Sequence, residues 1–232
     1  FDNTVLCYIV GMFLTLLCGV SINTLALLAV NRYLHICHTA LGKRVFTKLN
    51  ISLMIGIIWV YCMLWVLPTF FGWGRISYVP KVASCAYDHT NSLSYTLALM
   101  SIGVGLPIAV TFVCYAKTFL KIRASAKSVA AHNKNADKKK SDRNIRQVIA
   151  FVIVSGLFVI FWTPYAIVVI ADHGGALSLH IIRFVVRFGI CNSAINCIVY
   201  GLINKNIRGG YIKALCYFNK EKDDVVSFES ST

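Results

Sequence analysis

The sequence predicts an all-α, multi-pass transmembrane helix bundle. Three observations carry that prediction: charge is scarce, it is segregated, and most of it falls on one side. Of 232 residues, 57% are hydrophobic and only 14% are charged, with a mean hydropathy of +0.68. A soluble domain carries about 25% charged residues. No Asp, Glu, Lys or Arg occurs in 3–31, 49–74, 89–116, 147–171 or 188–204. A helix needs about 20 apolar residues to cross a hydrocarbon core of about 30 Å. A charge at its centre costs about 2.5–3.5 kcal/mol on insertion scales. Four of these windows meet that length and the last is near it. Soluble buried helices in such number would leave the chain no polar shell.

Orientation follows from the cations. Arg32, Lys43, Arg44 and Lys48 separate the first two spans, ten basic residues lie in Lys117–Arg146, and five more lie in Lys205–Lys222. The opposite side holds only Arg75, Lys81, Arg183 and Arg187. The bias of Lys and Arg toward the cytoplasm puts the start of the chain outside and its C-terminus inside; the plasma membrane is the expected location. The net charge of +14 then reads as topology plus attraction to anionic membrane lipid. It does not read as nucleic-acid binding, because it lies in loops between spans.

The elements follow in order. The first span, about 5–31, ends in Asn31-Arg32-Tyr33, and the short Leu34–Lys48 stretch after it is basic. The second, about 50–71, carries Trp59 centrally and Pro68 near its outer end. An outer loop from Gly72 to about Thr90 is rich in Gly, Ser and Tyr. The third span, about 92–118, contains Pro107, and Ser125–Ser141 behind it has no apolar periodicity and is expected to be mobile. The fourth, about 144–171, contains Phe161-Trp162-Thr163-Pro164; the fifth, about 178–203, ends in Asn196-Cys197-Ile198-Val199-Tyr200. These make up a transmembrane domain over 1–204.

Beyond it, Ile207, Tyr211, Ile212 and Leu215 form one apolar stripe, as on a helix lying at the membrane surface. That helix is expected over 205–218, although Gly209-Gly210 weaken it. The acidic, Ser-rich tail, 219–232, is expected to be disordered. No basic, cleavable segment and no Met open the chain, so it is expected to be truncated at its N-terminus.

Of nine cysteines, only Cys7 and Cys85 fall at the outer face, where oxidation is allowed. Two outer cysteines most simply pair, which would pin the long outer loop to the first span. The chain-entropy model gives such a bridge roughly 4 kcal/mol. Cysteines inside the spans read as small packing residues, and their spacings match no metal site. Cys216, on the surface helix beside Tyr217 and Phe218, is a palmitoylation candidate; a bare interfacial thiol is the alternative.

Taken in order, the motifs resemble the rhodopsin-like (class A) G-protein-coupled receptors. An outer Cys7 opens a span ending in Asn31-Arg32-Tyr33, similar to the family's Asp-Arg-Tyr; Trp59 sits mid-span; Cys85 lies in the next outer loop. Pro107 precedes Tyr115 by the family's fifth-helix spacing. Phe158, Trp162 and Pro164 keep the Phe-x-x-x-Cys-Trp-x-Pro pattern with Phe161 for Cys, and Asn196-x-x-x-Tyr200 resembles Asn-Pro-x-x-Tyr with Cys197 for Pro. The resemblance implies five of the family's seven helices, the third to the seventh. A narrower resemblance is to melatonin receptors, carried by Asn31-Arg32-Tyr33-Leu34-His35-Ile36-Cys37-His38, Asn192-Ser193 and Tyr200-Gly201-Leu202-Ile203-Asn204. At ligand-contacting positions the chain departs from those receptors, with Thr69 for Asn, His89 for Gln and Gly103 for His.

The resemblance implies roles residue by residue. Arg32, with Asn31, Tyr33, Tyr115, Asn196 and Tyr200, would face a heterotrimeric G protein. Ile22, Pro107 and Phe158, with Trp162 and Pro164, would form the packing switch; each proline removes a helical hydrogen bond and bends its helix. An extracellular small-molecule or peptide ligand would sit near Leu14, Thr69, His89, Gly103 and Trp162. Ser21, Asn192, Ser193 and Asn196 would line a sodium pocket, whose key acid belongs to a helix this chain does not contain. Arg183 and Arg187 would either attract an anion or snorkel to the headgroups. Asn31 and Asn144 replace the two acids that restrain the family's resting state, so elevated basal signalling is expected.

Leu14 stands where aminergic receptors carry an Asp, and Ile190 where opsins carry the retinal Lys. An amine ligand and a photopigment are therefore not expected. Nothing suggests an enzyme, a metal site or a cofactor. The rival readings are a small membrane transporter, which would need polar mid-membrane positions, and a truncated, non-signalling receptor fragment.

Overall fold

A computed structural model describes the backbone of residues 4–132, 135–172, 174–203 and 208–214; within them the side chains of 4, 125–148, 150–151, 193, 196–197, 200 and 202–203 are not described. The charge-free windows become helices. α1 (Thr4–Cys37) is 34 residues long, about 50 Å at 1.5 Å per residue. It outruns the expected span because nothing between Asn31 and Cys37 breaks a helix. The short α2 (Thr39–Val45) follows. Thr47 then caps α3 (Lys48–Val66) by accepting from the Asn50 N–H.

The second expected span changes character before its end. After Val66 the chain tightens into a 3₁₀ turn, Leu67–Phe71, with Pro68 in its first turn and Gly72 ending it at φ 83°. Pro68 has no N–H to give the α ladder, and Gly72 takes a left-handed conformation that a Cβ would disfavour.

The loop expected over 72–90 holds an antiparallel hairpin, β1 (Ile76–Val79) and β2 (Ser84–Tyr87), in the register Ile76↔Tyr87 and Tyr78↔Cys85. It lies on α1, and Gly11 allows the approach: a Cβ there would sit 2.5 Å from Ile76 Cγ2. The Cys7–Cys85 disulfide, with Cα atoms 5.2 Å apart, fixes it there.

Ser92 caps α4 (Leu93–Ala98), which continues through a π-helical stretch, Leu99–Gly105, into α5 (Leu106–His132). The wide turn follows from Pro107, which cannot donate to the carbonyl four residues back, so the ladder loosens ahead of it. The described residues of the segment expected to be mobile are helical: α5 runs to His132 and α6 (Asn135–Ala171) begins at Asn135. Its Lys and Ala residues are strong helix formers, and no Gly or Pro interrupts them. Pro164 lies inside α6 without ending it. α7 (Leu179–Ile203) closes the bundle, and residues 208–214 are helical within the expected surface helix. Cys216 and the tail lie outside the described residues.

α1 is the central element, packed on α3, α5 and the hairpin, while α6 runs along α7. Leu16, Cys62, Val66 and Ile76 join α1, α3 and β1; Ala29, Cys114 and Tyr115 join α1 to α5. Ala29 is fully buried, and its small side chain lets two backbones approach where lipid supplies no hydrophobic drive. Among the described residues, four helical stretches are long and apolar enough to cross a membrane: Val5–Cys37, Lys48–Phe71, Leu93–Ala124 and Val152–Ala171. α7, the other expected span, is not among them; Arg183 and Arg187 lie in its outer half. The outward surface is apolar, with Ile57, Phe112 and Phe184 exposed. Water would not tolerate so large a patch; hydrocarbon does.

Candidate functional site

Between the helix halves that the charge pattern predicts to face outside lies a cavity of about 180 Å³. α1 contributes Leu14, Cys18 and Ile22 to its wall, the π stretch Gly103, α6 Phe158, Trp162 and Tyr165, and α7 Ile182 and Ile190; His89 closes it from the outer loop. Among the described residues, no Asp, Glu, Lys or Arg is on that wall. Several of its polar groups are already engaged. Thr15 Oγ1 donates to Gly11 O at 2.9 Å, and Asn23 Nδ2 to Gly19 O at 2.9 Å. The Tyr87 hydroxyl pairs with Thr96 Oγ1.

Four of the five residues expected at the ligand line this cavity: Leu14, His89, Gly103 and Trp162. Thr69 does not. The 3₁₀ turn after Val66 rotates it away from the cavity, and its hydroxyl pairs with the Tyr8 hydroxyl at 2.5 Å and donates to Val66 O at 2.7 Å. Gly103 is buried beneath Leu99 and Trp65. The cavity floor brings together Ile22, Phe158 and Trp162, all on its wall, with the Phe158 and Trp162 rings 6.1 Å apart. Trp162 packs on Gly189, where a Cβ would sit 3.2 Å from the indole. Pro107 is buried in the π–α5 junction and its carbonyl accepts from Thr111 Oγ1 at 2.8 Å. Phe161 packs against Phe188 with ring centroids 4.5 Å apart and the planes tilted by 37°, a contact between α6 and α7.

Above the cavity sits a polar clamp that sequence reasoning missed. Asp172, at the end of α6, is 2% exposed. Its Oδ2 accepts from Lys81 Nζ at 2.9 Å and faces His89 Nε2 at 3.3 Å; its Oδ1 accepts from the Leu177 N–H at 2.7 Å. Burial pushes the Asp172 carboxyl up, but the Leu177 N–H, Lys81 and His89 outweigh that and hold it below its ordinary value. Lys81 also donates to Gly175 O at 2.6 Å and Leu177 O at 3.0 Å, and Arg183 Nε donates to Lys81 O at 3.3 Å. Lys81 and Asp172 are 91 residues apart. The scarcity of outer acids was the available signal, but nothing local chooses among Arg75, Lys81, Arg183 and Arg187 as the partner.

At the inner end, Arg32 is half-buried and within electrostatic reach of Tyr115. Asn31 is also half-buried. Tyr33 packs on the Ala29–Cys114–Tyr115 cluster, bonds His38 Nε2 at 3.1 Å, and lies under Lys117. The side chains of Asn196, Tyr200 and Asn144 are outside the described residues. Of the sodium-pocket candidates, Ser21 is exposed and donates to Leu17 O at 2.8 Å. Asn192 is buried, its Oδ1 without a hydrogen-bond partner among the described residues. Ser193 and Asn196 are outside the description, so the four are not seen to converge. Arg187 is exposed. No cluster of His, Cys, Asp or Glu among the described residues could hold a metal ion.

Membrane-length helices around an outer cavity, capped by a disulfide-pinned hairpin, define a multi-pass helical membrane protein of the receptor type. The family model "7 transmembrane receptor (rhodopsin family)" matches residues 3–200, and the chain belongs to that family. Melatonin receptors are among its most similar relatives. The zebrafish (Danio rerio) type 1B-B receptor is 30% identical over 90% of this chain and 61% of its own length. The human (Homo sapiens) type 1B receptor is 31% identical over 84% of this chain and 54% of its own. The chain thus spans little more than half the length of these relatives. The crystal structure of squid rhodopsin shares the fold, with a TM-score of 0.78 and 21% identity over 91% of this chain and 65% of that one.

Proposed function

We propose that this chain supplies the third to seventh helices of a plasma-membrane G-protein-coupled receptor. An extracellular ligand occupies the outer cavity, and a heterotrimeric G protein engages the inner face with the C-terminus on the same side. The carrying observation is the uncharged cavity whose floor, Phe158 and Trp162, lies on the proline-containing α6. A ligand that packs differently against Trp162 in two bends of α6 shifts their populations; one that packs equally shifts nothing. Arg32, Tyr33 and Tyr115 would meet the G protein at the other end of α1 and α5.

The ligand class follows from the wall. The positions of an amine's counter-ion and of a retinal Lys, Leu14 and Ile190, are both apolar and both on the cavity. A charged ligand would be buried there without a partner, at a cost of several kcal/mol. The site therefore suits an uncharged, lipophilic molecule. Melatonin receptors are among the relatives, but His89 and Gly103 make this wall different from the one that resemblance implies.

In cells, the full-length receptor is expected to activate G protein in response to neutral lipophilic agonists and not to cationic amines. Trp162→Ala should lower agonist potency by at least tenfold with surface expression retained. An unaltered dose–response in that variant would refute the cavity as the ligand site. Loss of signalling in Arg32→Ala with ligand binding retained would support the inner face as the coupling surface.

A further inference from the structure

The clamp above the cavity has a chemical consequence for what the cavity binds. A carboxylate has no hydrogen to give, so the contact between Asp172 Oδ2 and His89 Nε2 at 3.3 Å is a hydrogen bond only if Nε2 carries the proton. In the neutral imidazole, Nδ1 then keeps its lone pair. Asp172 cannot turn away to release the ring: the Leu177 N–H holds one oxygen and Lys81 the other. Lys81 is itself fixed by two carbonyls of the α6–α7 connection. His89 is 5% exposed, its carbonyl accepts from Thr96 Oγ1 at 3.1 Å, and no hydrogen bond engages Nδ1 among the described residues. The ring is thus held at Nε2 by Asp172 and the backbone at its carbonyl by Thr96, while His89 lines the cavity. Of the other polar groups on that wall, the Cys18 thiol, the Tyr165 hydroxyl and the Trp65 and Trp162 indoles each bring a hydrogen of their own, while Asn23 Oδ1 offers a second acceptor.

We propose that Asp172 acts as a positioning residue that presents His89 to the cavity as a hydrogen-bond acceptor. The site therefore selects uncharged, lipophilic ligands that carry one N–H or O–H donor. This rests on reading the cavity as the ligand site. A ligand with only an acceptor at that point would set two lone pairs against each other. A site built to bond a donor rejects the analogue lacking it more strongly than a purely apolar pocket rejects a missing methylene.

The test uses three bicyclic probes of nearly one shape: naphthol, with an O–H donor; fluoronaphthalene, with neither donor nor strong acceptor; and quinoline, with an acceptor. They are titrated into the protein in lipid nanodiscs at one fixed pH. Binding is read from the fluorine resonance of fluorotryptophan at position 162. Naphthol is expected to bind about tenfold tighter than fluoronaphthalene, the worth of roughly one well-placed hydrogen bond, and quinoline no tighter than fluoronaphthalene. His89→Phe, which leaves the Lys81–Asp172 pair in place, should bring the three within about twofold of one another. Asp172→Ala, which removes the positioning group, should narrow the naphthol preference while fluoronaphthalene still binds. Equal binding of all three to the unaltered protein, or a preference for quinoline, would overturn the acceptor assignment and leave the cavity reading standing. No movement of the Trp162 resonance with any probe would overturn both.

Discussion

The two ends of this bundle are built differently. At the outer end, connectors distant in sequence are tied together. Cys7 is bonded to Cys85, 78 residues away, Lys81 to Asp172 across 91, and Arg183 to Lys81 across 102. At the inner end, most of the described side-chain bonds are local: Tyr33 to His38, Thr39 to His35, Asn50 to Val45. The cavity lies under the tied end, and the residues expected to meet a G protein lie at the other. A tied outer cup keeps the ligand wall in one shape, while helix ends held by local bonds can separate at little cost. That asymmetry suits a machine whose input must be specific and whose output is a displacement.

Breaking the outer ties should have the largest effects. Cys85→Ser opens a long loop and should cost about 4 kcal/mol, read as a lower thermal unfolding temperature and loss of surface expression. Asp172→Ala leaves Lys81 without its carboxylate and should cost about 3 kcal/mol, read by the same unfolding measurement. The Asp172 carboxyl lies below its ordinary value, so its stabilisation is complete above the ordinary carboxyl range. It is lost only as pH falls through the lower folded value. With Lys81 and His89 facing it, and Arg183 behind Lys81, the Asp172 contribution should be unchanged from pH 7 to about 5 and fall below about 4. Unfolding scans of the parent and Asp172→Ala should therefore converge only at the acid end.

At the inner end the effects should be on signalling and not on stability. If, as the family resemblance implies, Asn31 and Asn144 replace the acids that restrain Arg32, the full-length receptor should signal without ligand. Replacing both with acids, Asn31→Asp with Asn144→Glu, should lower basal G-protein activation about fivefold with little change in unfolding temperature. A receptor silent without ligand but driven active by Asn144→Ala would contradict this. The smallest expected effect is at Thr69: Thr69→Val breaks its bond to Tyr8 and should cost about 1 kcal/mol without altering ligand potency, since Thr69 is off the cavity wall.

What could be read in advance divides along the same line. The helices were legible because lipid excludes charge, so empty windows in the sequence mark them directly. Cys7 and Cys85 were legible because they are the only outer cysteines. Pro107 announced a bend, but not that the ladder would widen to a π stretch before it. The hairpin was missed because Ile76–Val79 and Ser84–Tyr87 are each four residues long, too short for alternation to register. Thr69, expected near the ligand, does not line the cavity, because it lies in a 3₁₀ turn that advances faster than the α-helix assumed for it. The clamp was invisible because a pairing across 91 residues leaves no local trace, and its members lie among ordinary loop residues.

The account turns on which side of the membrane each end faces. An epitope inserted at position 133, between α5 and α6, should be inaccessible to antibody on intact cells and become accessible once they are permeabilised. Labelling at the surface of intact cells would place the basic connector outside, and the assignment of a ligand to the clamped end and a G protein to the other would be wrong.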